Sequence, residues 1–229
     1  MKFVQVLFFI TIIAFNSCKQ GKKSNSEEIK INVELKDKLE SILLKDQGIR
    51  EIVDGNLNHE RRVFLLNEMQ LNETDIEGNK KFDLMDEIDS INLLETENII
   101  KNHGYPSKSL VGEPANKAVF YVIQHSNKIE EYLPLIRKAS QNGDIAKTSL
   151  AMMEDRNLMN KGIEQLYGTQ IKGQTNKKGE WIYFLWPIKN ADSINIWRKE
   201  IGFKLNVEEY VKEMGVEFRL YQINELSDL

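Results

Sequence analysis

Eight polar side chains fall on faces that are otherwise apolar: Asp46, Arg50, Asp89, His125, Asp155, Arg156, Gln165 and Gln170. Burying charge is costly unless the charge is paired and hydrogen-bonded, so wherever these faces converge the groups must satisfy one another. A structural network would do that, and so would a functional site. His125 reads either as a core histidine tied to a carboxylate or a backbone carbonyl, or as a general acid/base with Asp155 orienting its ring. Asp155 and Arg156 read as a salt-bridged pair, or the arginine as an anion clamp, because its planar fork suits carboxylate and phosphate. Arg50 offers the same fork, and acid before base at i,i+4 makes Asp46 its natural neighbour. Asp89, Gln124, Gln165, Tyr167 and Gln170 complete the set of candidate ligand-binding side chains; Gln165 and Gln170 serve equally well as anchors for a hairpin.

Other chemistries find no residues to carry them. The three histidines, at 59, 103 and 125, form no His-Glu-x-x-His, and Cys18 is the only cysteine, so no metal site and no cofactor is expected. Gly-x-Ser-x-Gly, a phosphate-cradling Gly-Lys-Ser/Thr loop and Gly-x-Gly-x-x-Gly are absent. The acidic run Asp75, Glu77, Asp83, Asp86, Glu87, Asp89 has Gly78 misplaced for a calcium loop and reads as a solvated helix face. The chain carries a formal −4, with 31 basic against 35 acidic residues, which argues against nucleic acid as a partner.

The N-terminus supplies an address. Lys2 precedes an apolar run from Phe3 to Phe15, interrupted by Gln5 and Thr11, and then Asn16-Ser17-Cys18. This reads as a secretory signal over residues 1–17, too short for a membrane span of roughly 20 residues. A cysteine directly after the cut resembles a lipoprotein acylation site of the Bacteroidota type. The expectation is therefore a cell-envelope protein, on the outer membrane or the periplasmic face, held to the membrane by lipid on Cys18. Residues 18–30, polar and starting with Lys19, Lys22 and Lys23, form a tether, and 31–229 form a single α-rich domain.

The elements that must position the polar groups follow from periodicity and capping. Leu35, Leu39, Ile42, Leu43, Ile49 and Val53 set a helix from Val33 to Val53, stopped by Gly55. Helices are expected over about Asn58–Gln70, Lys81–Ile91 and Leu93–His103, the last capped by Asn92 with Glu95. Pro114 suits the first position of a helix carrying Val119, Val122 and Ile123, with His125 on the same buried face. A helix over Ile129–Gln141 is compatible with Pro134 only near its first turn. Asp144 is placed to cap the next helix, which has Ala151, Met152, Leu158 and Met159 on its apolar face and Asp155 among them. Leu166–Lys172 and Glu180–Ile188 read as a hairpin, placing Tyr167 to Gln170 on a strand. Two of the three tryptophans, 181, 186 and 197, are expected in the core. Helices over Asp192–Ile201 and Val207–Met214, then a short strand at Val216–Tyr221, end the chain. The fold class is mainly α: a single helical domain with a β-hairpin in its C-terminal third.

Motif order adds a resemblance. Asp46-Gln47-Gly48-Ile49-Arg50, Asp89-Ser90-Ile91-Asn92, His103-Gly104-Tyr105-Pro106, Gln124-His125, Asp155-Arg156 and Gln165-Leu166-Tyr167-Gly168-Thr169-Gln170 resemble a bacterial domain family of unknown function, over roughly residues 35–212. In that family a tryptophan is usual at the Tyr105 position, and Ala-Asp where Ser126-Asn127 stand. The resemblance implies no reaction, cofactor or partner. With no nucleophile or metal set evident, the expected function is binding of a small polar or anionic ligand or a peptide; the alternatives are hydrolase- or transferase-like catalysis by His125 and an interaction protein without a pocket. A cleft beside His125 discriminates among them.

Overall fold

A computed structural model describes residues 31–228; the signal segment, Cys18 and the tether lie outside the described residues. The fold is mainly α, with one two-stranded antiparallel sheet. No described helix is long and apolar enough to cross a membrane.

Helix α1 (Val33–Asp54) begins where Asn32 Oδ1 accepts the Leu35 amide at 3.0 Å and ends at Gly55. Its buried stripe, Leu35, Leu39, Ile42, Ile49 and Ile52, includes Asp46. Full burial of Leu39 contributes about 2 kcal/mol. Helix α2 (His59–Glu68), capped by Asn58, returns Leu65 and Leu66 onto the second half of α1, where Ile49, Ile52 and Ile76 complete a small core. The larger core joins the first half of α1 to α3 (Lys80–His103), α4 (Lys108–Val111), α5 (Ala118–His125), α6 (Ile129–Gln141) and α7 (Lys147–Asn160), through Ile99, Val111, Val119, Ile123, Ile136 and Met153 among others. A third core holds the base of the hairpin, β1 (Ile171–Thr175) and β2 (Trp181–Leu185), against α8 (Ile194–Ile201) and α9 (Val207–Glu213). The strands pair in register from Ile171 opposite Leu185 to Thr175 opposite Trp181. Asn176 closes their turn by accepting the Lys178 and Glu180 amides, each at 2.9 Å.

Several local expectations give way to packing. Helix α3 is continuous, because Asn92 lies buried along α1 rather than starting a new helix; tertiary contact overrides its preference for caps. Pro114 precedes a short 3-10 turn, and α5 starts only at Ala118. Pro134 is the sixth residue of α6, further in than expected; the carbonyl it leaves without a donor belongs to Glu130, an exposed residue. Asp144 does not cap α7, which starts at Lys147 without a side-chain cap, but accepts the Lys108 amide at 2.8 Å. On α7 Met153, not Met152, enters the core. Only Trp186 is a core tryptophan; Trp197 is half-buried and Trp181 exposed. Val216–Tyr221 forms no strand, having no ladder partner, and meets the hairpin through Tyr221 against Phe184.

Candidate functional site

Two buried carboxylates organise the polar residues. The first is Asp46, 1% exposed on the inner face of α1. Its helical neighbour Arg50 donates from Nη1 to the Asp46 carbonyl at 2.6 Å and lies 3.3 Å from its carboxylate. Arg50 Nη2 meets both oxygens of Asp89, on α3, at 2.9 and 2.8 Å. Gln47 donates to Asp46 Oδ2 at 2.6 Å. From the end of α5, His125 Nδ1 stands 3.2 Å from Asp46 Oδ2 and 3.3 Å from Oδ1. That spacing fits the tautomer in which Nδ1–H donates to the carboxylate. The ring's other nitrogen then carries the lone pair; it lies 3.4 Å from the Gln124 amide nitrogen. The partner expected for the histidine, Asp155, is elsewhere.

His125 is not sealed in. It lines an open cleft of about 360 Å³ with Asp86, Asp89, Ser90, Leu93, Val122, Ser126 and Asn127. The cleft's hydroxyls are committed: Ser90 Oγ donates to the Asp86 carbonyl at 2.8 Å and Ser126 Oγ to the Ile123 carbonyl at 2.9 Å. Its carboxylates are Asp86 and Asp89, the latter paired with Arg50.

The second carboxylate, Asp155, is fully buried. It accepts the amides of Leu166 at 2.7 Å, Tyr167 at 3.1 Å and Thr169 at 3.1 Å, and the Thr169 hydroxyl at 2.9 Å. Burial holds this carboxyl above the usual aspartate range, and those donors only limit the rise. Tyr167 to Gln170 therefore do not form a strand, as the sequence suggested. A strand aims successive groups to opposite sides, whereas one carboxylate here gathers three amides into a tight loop. Gly168 makes the bend at φ +64°; a Cβ there would stand 2.7 Å from Val207 Cγ2 and 2.8 Å from Ile194 Cδ1.

Gln165 and Gln170 spend their amides on the protein. Gln165 donates to the Gln170 and Trp186 carbonyls at 3.1 and 2.7 Å and accepts the Gln170 amide at 2.8 Å. Gln170 donates to the Met152 carbonyl at 3.2 Å and to the Thr169 hydroxyl at 3.0 Å. Arg156 links the two clusters, donating from Nε to Gln170 Oε1 and from Nη1 to the Gln124 carbonyl, both at 3.2 Å. Burial first, then the nearby Arg50 guanidinium, pull Arg156 below the usual arginine range. Tyr167 is half-buried, its carbonyl held by Arg198 Nη1 at 2.7 Å.

Arg198 is the principal residue that sequence reasoning left out of the site. It is 2% exposed, with its guanidinium between the Phe203 and Tyr210 rings at 4.6 and 5.2 Å. Its signal was present: it follows Ile194 by four residues and precedes Ile201 by three, a charge on an apolar stripe like Asp46. Tyr210, one turn into α9, donates to the Thr169 carbonyl at 2.9 Å. Among the described residues no group of three or more His, Cys, Asp or Glu side chains is placed to hold a metal ion.

Fold and site together define a helical protein with a polar cleft edged by a histidine on a buried aspartate, and a separate loop knotted around a second one. The chain belongs to the family of unknown function DUF6624, whose model matches residues 68–221. The matched span holds His125, Asp155 and the Tyr-Gly-Thr-Gln loop; α1, with Asp46 and Arg50, precedes it. No curated protein and no solved structure matches the chain.

Proposed function

We propose that the protein performs acid–base catalysis on a small polar substrate in the His125 cleft, as a hydrolase- or transferase-like enzyme held to the cell envelope by lipid on Cys18. The carrying observation is the His125–Asp46 pair at the cleft edge: a buried carboxylate fixes the ring and its tautomer, and the ring is within reach of solvent. With Ser90 and Ser126 engaged by carbonyls, the proton that His125 takes comes from a water or from a hydroxyl of the substrate itself. Arg50 is not the anion clamp, because Asp89 fills its fork. With Asp89 paired to Arg50, it is Asp86 at the lining that favours a neutral or cationic ligand over an anionic one.

The test is a mass-spectrometric screen of envelope metabolites and peptides for conversion by the full chain. His125→Ala is expected to lower turnover roughly 100-fold or more, with the fold intact by circular dichroism. Conversion unaffected by that change would overturn the catalytic reading. The anchor is tested separately: labelled fatty acid enters the wild-type chain and is absent from Cys18→Ser. Binding without turnover is favoured by one observation, that Arg156 forms no ion pair with a carboxylate among the described residues. Thermal stabilisation by inorganic phosphate that disappears in Arg156→Gln would support it.

A further inference from the structure

We propose that the outer part of the β1–β2 hairpin is a contact site for an anionic phospholipid surface. The two faces of the hairpin have different fates. On one, the C-terminal segment covers the strands: the Tyr221 ring packs 5.7 Å from Phe184, and Gln174 reaches the Leu226 carbonyl at 3.5 Å. On the other, Ile171 and Leu185 enter the third core at the base, while Trp181 and Tyr183 further out are each 62% exposed. Their rings meet edge to face at 6.1 Å and lie over Gly173, where a Cβ would stand 2.7 Å from Trp181 Cζ2. The aromatic pair is thus held in place by its own strand partner and turned to solvent.

The charge around this pair is segregated. Residues 171–189 carry four exposed lysines against the single acid Glu180, a formal +3 in a chain whose total is −4; Lys177 and Lys178 lie in the turn next to Trp181, while Lys172 stands on the opposite face over the Trp186 ring at 5.1 Å and Lys189 beyond the base. Large amphipathic rings of Trp and Tyr beside lysines match the water–headgroup boundary, where the ring body enters the apolar edge and lysine meets lipid phosphate. A protein partner would call for a broader apolar patch than two rings provide. This contact is independent of the His125 cleft. The proposed lipid on Cys18 would bring the hairpin close to the bilayer, but the charge and the rings stand without it.

The experiment uses the full chain with vesicles of brominated phosphatidylcholine, alone or mixed with brominated phosphatidylglycerol, and reads quenching of tryptophan emission. The three tryptophans are 181, 186 and 197, so single Trp→Phe variants assign the signal. Quenching in the anionic vesicles is expected to disappear in Trp181→Phe, to persist in Trp197→Phe, and to fall roughly twofold or more in Lys177→Gln/Lys178→Gln. Trp181 is exposed, so its replacement leaves the core intact. Equal quenching in pure phosphatidylcholine, or quenching that survives Trp181→Phe, would overturn the proposal. So would a Trp181 response to a soluble polyanion with none to vesicles. Fatty-acid labelling reads the anchor and this quenching reads the hairpin, so either can fail without the other.

Discussion

Asp46 and Asp155 are both essentially removed from water, yet their surroundings differ in kind. Asp155 is surrounded by backbone: three amides and one hydroxyl of the 166–169 loop converge on it. Asp46 is surrounded by side chains from two elements, α1 and α5, and one of them, His125, opens onto a cleft. A carboxylate engaged by amides fixes the shape of a loop, whereas one shared with an imidazole at a cleft edge fixes the orientation of that ring. Burial alone therefore does not distinguish the two. What separates them is whether the carboxylate's partners are loop amides or a ring that lines a cleft.

The largest effect that would break this contrast is on stability. Asp155→Asn replaces an acceptor with an amide donor facing other donors, and is expected to cost about 3 kcal/mol in urea unfolding. A loss as small as that of a surface substitution would show that the loop does not depend on the carboxylate. Next, Gly168→Ala forces a Cβ onto Val207 and Ile194 at a positive φ, with an expected cost of about 2 kcal/mol; the melting temperature reads it. Asp46→Asn should cost only about 1 kcal/mol, since Arg50 keeps Asp89, but should reduce turnover of any substrate found roughly 100-fold. Equal stability losses at Asp46 and Asp155 would erase the distinction.

The smallest effect concerns a wet carboxylate, as a contrast to both. A hydrogen bond from the Lys128 ammonium, with a second from Tyr132, holds Glu97 below the usual glutamate range. A lowered acid stabilises the fold above its ordinary value of 4.5 and loses that contribution as pH falls through the folded-state value. Solvent screens the pair, so the loss is slight. Lys128→Met should flatten the acid side of the stability profile, and an unchanged profile would show that the pair contributes nothing.

Local signals proved legible where their physics is local. The first long helix starts at Val33 and is closed by Gly55, and α9 starts at Val207, each where the sequence placed it. The apolar stripe of α1 put Asp46 on the inner side. Where a distant surface competes, the same reading failed. Asn92 has the chemistry of a cap but lies along α1, and Asp144 found the Lys108 amide instead of the next helix. The Tyr167–Gln170 segment has the composition of a strand, and a carboxylate on α7 bends it into a loop.

The sequence by itself determined the helical class, most element boundaries and the presence of polar groups on buried faces, because periodicity and capping act over a few residues. Only the tertiary structure decided which groups meet. His125 took as its partner a carboxylate seventy-nine residues away on α1 rather than the one on α7 that motif order suggested. Spacing along the chain carries no information on such pairings; they are set by how the helices pack and by the cost of leaving a buried charge without a partner.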